Sequence, residues 1–317
     1  MIQAHSLPDA LDTVSMKSLD HSDTDNAEGQ VRNRATRTRR QGLPMRLLRL
    51  FAATLWFAGG YVAFLLRKYV SGKRPLHCVI LYYHGVAPDE RQRFGQQLDA
   101  ILRFARPVAV TGQLPHEARN RYVAVTFDDG LDTVATQALP ELLERRIPAA
   151  VFVMSDLLGQ DCTWKDYQGH FLSSEELLRL PHDLITFGSH TCTHAFLPGL
   201  DREGACWEIH ESRAKLEKLL GRRITHFSFP YGAFNEGLIE ICREAGYEHV
   251  FTTVHQPARR GINEFVLGRV RVDPHDWPIE FRLKLHGAYN WLPIAIALKR
   301  KVVRILRMSG MGGALVP

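Results

Sequence analysis

The chain is poor in cysteine and places it without pattern. Five residues (Cys78, Cys162, Cys192, Cys206 and Cys242) are scattered over 317 positions, and no Cys-x-x-Cys pair occurs. That argues against a zinc ribbon and a thioredoxin-type redox pair, and the odd count leaves at least one thiol free or shared between chains. The thiols read as small buried hydrophobes. Internal repeats are absent. The part that reads as folded also lacks a nucleic-acid recognition motif, so no nucleic-acid partner is expected despite a net charge of +6. Residues 1–44 have no sustained apolar period and are rich in Asp, Ser, Thr, Asn and Arg, the composition of a disordered tail. The whole is 45% hydrophobic and 23% charged, enough to build a core without disulfides or a structural metal.

One uncharged apolar run stands out, Leu50–Leu66, flanked by Arg49 and by Arg67-Lys68. It is slightly short of the roughly 20 residues that a membrane span needs. Leu47-Leu48 extend it if Arg49 snorkels. The expectation is a single-pass anchor over 45–70; the alternatives are a signal segment and an apolar helix packed on the domain. No small-x-small cleavage site follows. Arg32, Arg34, Arg37, Arg39, Arg40, Arg46 and Arg49 crowd the preceding flank. The positive-inside rule then keeps the N-terminus in the cytoplasm and sends the main domain across the membrane, to the periplasm or beyond. Met45 is a second candidate start. Near the C-terminus, Leu292–Leu298 precede Lys299, Arg300, Lys301, Arg304 and Arg307. Residues 291–317 therefore suit a basic amphipathic helix touching a membrane through 292–307, or the same helix packed on the domain.

Between residues 76 and 290 short apolar runs alternate with amphipathic stretches. Strands are predicted over 78–83, 122–127, 149–153, 184–188, 226–229, 248–252 and 266–271. Helices are predicted over 93–105, 133–146, 174–180, 202–220, 236–245 and 279–287. Ser173-Ser174-Glu175-Glu176 has capping-box spacing, Asn235 stands at an N-cap, and Gly221 and Gly246 stand where helices stop. The alternation predicts an α/β fold with a parallel sheet, a distorted, incomplete (β/α) barrel of about seven strands. In such barrels the chemistry sits at the C-terminal strand ends.

Two motifs fall at such ends. Tyr122–Val125 leads into Thr126-Phe127-Asp128-Asp129-Gly130, and Leu184–Gly188 leads into Ser189-His190-Thr191-Cys192-Thr193-His194. One carboxylate with two imidazoles is a facial set for a divalent metal, leaving positions for water and substrate. The other carboxylate is then free to act as a base on that water. The histidines, four apart, come together if a helical turn starts there.

With Phe229-Pro230-Tyr231-Gly232 following in order, the three motifs resemble the polysaccharide deacetylases of carbohydrate esterase family 4, over about residues 76–275. The resemblance implies metal-dependent removal of acetyl groups from N-acetylated sugars of a polysaccharide. It makes Asp129, His190 and His194 the metal ligands and Asp128 the general base. Pro230 and Tyr231 become a wall of the substrate groove, with the Tyr231 backbone N–H offered to the oxyanion. Zinc is the first choice of metal, with cobalt, nickel and iron as alternatives. Cys192 is taken as packing.

The sequence departs from the family pattern twice. Two residues before Pro230 the family often has the arginine that orients the base; here Ser228 stands there, and Arg269 or Arg271 is the candidate replacement. The family's Leu-x-His, which supplies the general acid, is also missing from its usual late position. Leu283-Lys284-Leu285-His286 falls in a helical pattern. Leu81-Tyr82-Tyr83-His84 ends the first strand, as in circularly permuted exopolysaccharide deacetylases of the family, and makes His84 the acid. Asp273-Pro274-His275-Asp276-Trp277 resembles the family's Asp-x-x-Asp-Trp, or is a turn with a cap. The expected activity is therefore N-deacetylation of an exported amino-sugar polysaccharide. Alternatives on the same fold are a peptidoglycan, chitin-oligomer or O-acetyl ester deacetylase, or a non-catalytic carbohydrate-binding member.

Overall fold

The computed structural model describes residues 43–71, 77–110, 121–164, 167, 169–255, 264–289 and 291. The tail expected over 1–44 and the basic helix expected over 291–317 fall almost wholly outside these residues.

The strands of the main sheet are β1 (His77–Tyr83), β2 (Arg106–Pro107), β3 (Arg121–Phe127), β4 (Ala149–Val153), β7 (Ile185–Ser189), β8 (His226–Ser228), β9 (His249–Thr252), β10 (Val266–Gly268) and β11 (Val270–Arg271). A separate two-stranded hairpin, β5 (Asp161–Cys162) and β6 (Gly169–His170), lies between β4 and β7 in the chain. The main sheet runs in the order β10-β9-β8-β7-β4-β3-β1-β11, with β2 on β3. Its pairings are parallel. The strand expected over 266–271 is broken at Arg269. Its first half pairs with β9 and its second half with β1, so one segment joins both edges and nearly closes the barrel.

Alternation along each strand separates two cores, as the two-residue period requires. Cys78, Ile80, Tyr122, Ala124, Ala150, Phe152, Phe251 and Leu267 fill the barrel interior. Val79, Leu81, Tyr83, Val123, Val125 and Phe127 face outward, under the helices. These are α2 (Arg91–Phe104), α3 (Leu139–Arg145), α4 (Ser174–Arg179), α5 (Arg202–Leu220), α6 (Glu236–Glu244) and α7 (Pro278–Leu285). The predicted caps form: Ser173 and Glu176 exchange capping-box bonds, Asn235 accepts from the Leu238 N–H at 2.9 Å, and Gly221 ends α5 at φ 65°. The helix expected over 133–146 opens instead with a π-helical turn, Val134–Ala138.

The first helix, α1 (Leu43–Ser71), contains the apolar run. Among the described residues no helix is long and apolar enough to cross a membrane, so the span over 45–70 gains no support. The alternative of a helix packed on the domain describes its first half. Arg46 pairs with Glu280 at 2.8 Å and lies over the Trp277 ring, Ala53 is buried against Leu283, Ala288 and Tyr289, and Phe57 stacks on His286. Leu43, Leu47, Leu48, Phe51 and Leu55 stay exposed.

Candidate active site

Above the apolar interior lies a polar layer, and above that the mouth. Arg269, in the break between β10 and β11, is fully buried and points into the layer. Its guanidinium grips Asp128 as a fork, with Nη1 to Oδ1 at 2.7 Å and Nη2 to Oδ2 at 2.8 Å. It also donates to Thr126 Oγ1 at 3.1 Å and Ser228 Oγ at 2.8 Å. Burial pushes the Asp128 carboxyl up, but the Arg269 charge, the nearby His190 and the Arg269 hydrogen bonds together hold its pKa below the ordinary carboxylate value. The guanidinium missing at Ser228 thus arrives from the last strand. The Ser228 hydroxyl shares the pocket, 3.2 Å from Asp128 Oδ1.

Asp128 continues the β1–β3 ladder through its N–H to Tyr83 O at 2.9 Å. Asp129 then turns into the left-handed region, φ 69°, and so does Gly130, φ 60°. A Cβ on Gly130 would stand 2.7 Å from Val153 Cγ1, so glycine is required for the close approach as well as the conformation. This kink is how two adjacent carboxylates serve one mouth although strand neighbours point to opposite faces.

His190 follows β7 and donates its N–H to Val153 O at 2.8 Å. The two histidines do not meet through a helical turn. Residues 191–196 form a non-helical loop, with Thr191 at φ 71° and His194 at φ 64°, and that loop sets the rings 4.9 Å apart. His190 Nε2 and His194 Nε2 lie 3.3 and 3.4 Å from Asp129 Oδ1. Donors about 2.0–2.2 Å from a shared ion stand at about such separations. His190 Nδ1 is 2.7 Å from the Ser228 carbonyl and therefore donates to it, which turns the Nε2 lone pair toward the site. The three residues could hold a divalent ion. Burial opposes charge on Asp129, yet the imidazoles beside it hold its carboxyl well below the usual range.

His84 stands at the same mouth, Nε2 4.0 Å from Asp129 Oδ2, with its side chain 40% exposed. Desolvation lowers its pKa; the Asp129 charge opposes that and Arg271 reinforces it. His286 is elsewhere. It closes α7 and contacts Arg121 at 2.6 Å, at the start of β3 and about 20 Å down that strand from Asp128. Asp273 and Asp276 take the turn-and-cap arrangement: Asp276 Oδ2 accepts from the Asp273 N–H at 3.1 Å and from Lys284 at 2.6 Å, and neither acid bonds to His84.

Tyr231 adopts φ 60°, a left-handed conformation that costs a non-glycine residue of order 1 kcal/mol. Its ring packs 4.6 Å from that of His194. On the other side Trp164 stands 5.1 Å from His194. Trp164 belongs to the β5–β6 hairpin, which the sequence reading missed because its strands are two residues long. Glu208, buried on α5, bonds to the histidine loop and was missed too, because it reads as one more charge on an amphipathic helix.

The family model for polysaccharide deacetylase matches residues 116–250. YxkH of Bacillus subtilis is 24% identical over 217 residues, 65% of this chain and 75% of that protein. A peptidoglycan-N-acetylglucosamine deacetylase of Bacillus cereus is 27% identical over 204 residues, 63% of this chain and 88% of that one. Among solved structures, IcaB from Ammonifex degensii is 27% identical with a TM-score of 0.55, over 67% of this chain and 98% of that one. Residues 116–250 thus resemble the polysaccharide deacetylases, a family of hydrolases, in sequence, and the fold is shared with the deacetylase structure.

Proposed function

We propose that this protein is a deacetylase that removes N-acetyl groups from an amino-sugar polysaccharide with the help of a divalent ion, zinc first, held by Asp129, His190 and His194. The single observation that carries this reading is the convergence of the Asp129, His190 and His194 donor atoms beside an Asp128 carboxylate kept ionised by Arg269. An ion held there supplies an acidified water and a positive charge near the developing oxyanion. Asp128, ionised and oriented, takes the proton from the attacking water. Pro230 and Tyr231 line the groove, and the Tyr231 N–H is the proposed oxyanion donor, a contribution of about 3 kcal/mol. His84 returns a proton to the leaving nitrogen, which cannot depart as an amide anion. His84 lies outside the family match, so its role rests on its place at the mouth, between Asp129 and the last strand.

The N-acetylglucosamine chemistry named for the Bacillus cereus relative supports an N-acetylhexosamine polymer. The first-strand histidine favours an exported exopolysaccharide; peptidoglycan is the second reading, favoured by that same relative. An extracytoplasmic location rests on the arginine-rich flank before α1, and reporter fusions after Gly72 test it. For the activity, the apoprotein is reloaded with single metals and acetate release is measured on exopolysaccharide, peptidoglycan and chitin oligomers. Release that is equal in the apoprotein, or confined to O-acetyl esters, overturns the proposal.

A further inference from the structure

Helix α5 carries polar residues on a face that should be apolar. Glu208, Ser212 and Lys215 are spaced four and three apart and so share one face. Glu208 and Ser212 are buried, Glu208 only 5% exposed. Glu208 bonds directly to the segment that bears the two histidines, while Ser212 and Lys215 are linked to it through Ser189 and Asp156. Glu208 Oε2 accepts the N–H groups of Cys192 and Thr193, at 2.8 and 3.0 Å, and Oε1 accepts the Thr193 hydroxyl at 2.6 Å. Ser212 Oγ lies 2.7 Å from Ser189 Oγ, which accepts the Thr191 N–H at 3.2 Å. Lys215 pairs with Asp156 at 2.8 Å, and the Asp156 N–H donates to Cys192 O at 3.1 Å.

An apolar side chain at 208 would serve packing at lower cost, because a buried carboxylate must be compensated. Among the described residues Glu208 has no ion-pair partner; its compensation is those three donors. The loop they belong to holds Thr191 and His194 in the left-handed region, where residues with a Cβ persist only if their surroundings hold them. We propose that Glu208 is the positioning residue of this site: its carboxylate clamps residues 192–193 and so fixes the direction of His190 and His194. The consequence for the ion rests on the metal reading above; the clamp itself does not.

The test uses the full chain with Glu208→Ala and Glu208→Gln. Three quantities are read: hydrogen exchange at the Cys192 and Thr193 amides in metal-free protein, zinc affinity against a chromophoric chelator, and kcat and KM separately. Glu208→Ala should expose both amides and weaken zinc about 10–100-fold, as loss of a supporting hydrogen bond behind metal ligands does. It should lower kcat more than it raises KM. Glu208→Gln keeps an oxygen for both N–H groups and should stay within a few-fold of wild type in all three. Wild-type protection and zinc affinity in Glu208→Ala overturns the proposal. So does a Gln variant as impaired as the Ala variant, which would assign the effect to charge. If wild type binds no zinc, the ion reading fails while the exchange arm still decides the clamp. If Glu208→Ala does not fold, Thr193→Val, which removes the hydroxyl bond alone, should weaken zinc in the same direction; unchanged affinity there refutes the clamp.

Discussion

Arg269→Ala puts the reasoning about the base at greatest risk. In wild type the fork at 2.7 and 2.8 Å holds both Asp128 oxygens in a buried pocket. Removing the guanidinium leaves a carboxylate there with the Ser228 hydroxyl as its remaining side-chain donor, at 3.2 Å. A buried charge stripped of its partner costs about 3–5 kcal/mol. The site can meet that cost in two ways. If Asp128 stays ionised, the domain loses that stability, a fall in Tm of roughly 6–20 °C at about 2–4 °C per kcal/mol. If it takes up a proton, stability recovers but the base is gone, and kcat should drop about 10²–10⁴-fold at neutral pH. The sign is fixed by the two opposing causes. Arg269 holds the pKa down and burial pushes it up, so without Arg269 the pKa rises and the acid limb of kcat/KM moves to higher pH. Arg269→Lys, which keeps charge but not the fork, should fall between. Ser228→Arg in the Arg269→Ala background brings a guanidinium in from β8 and should restore part of kcat. Stopped-time acetate assays across pH, with thermal unfolding alongside, decide it. An Arg269→Ala enzyme with wild-type kcat, Tm and acid limb would refute the argument.

The remaining predictions concern separate groups. Asp129→Ala, His190→Ala and His194→Ala should each lose bound metal in elemental analysis, whereas Asp128→Asn should retain it and lose activity; the reverse pattern for the two aspartates would exchange their roles. His84→Ala should lose about 10²–10⁴-fold in kcat with zinc retained, while His286→Ala, stacked on Phe57 at the far end of the barrel, should stay within a few-fold of wild type. His226 is buried, its Nε2 has no hydrogen-bond partner among the described residues, and burial pushes its pKa from 6.5 down to about 3. The unfolded chain then binds the extra proton, so stability is full above pH 6.5 and declines below it, by about 2 kcal/mol at pH 5. His226→Phe should flatten that decline in denaturant titrations at pH 5 and 7.5, and an unaltered pH slope would count against a neutral buried His226.

Much of this protein is written in local patterns that need no tertiary context. Short apolar runs gave strands at 78–83, 122–127 and 149–153 because strands buried on both faces read as near-continuous apolar stretches, and Ser173, Asn235 and Gly221 marked helix ends because capping is settled within one turn. Asp128, Asp129, His190 and His194 were legible because each pair is close in sequence and ends an apolar run. Other features depended on which strands become neighbours. Only barrel closure brings Arg269 beside Asp128, 141 positions away, and only the place of β1 between β3 and β11 puts His84 rather than His286 at the mouth. The histidine loop kept its four-residue spacing but not the helical turn that spacing suggested: Thr191 and His194 are left-handed, and the backbone between them bonds to Glu208 on α5. The apolar run at 50–66 falls just short of the local rule for a membrane span, and its first half lies on α7, because an apolar surface takes whichever apolar partner the fold brings to it.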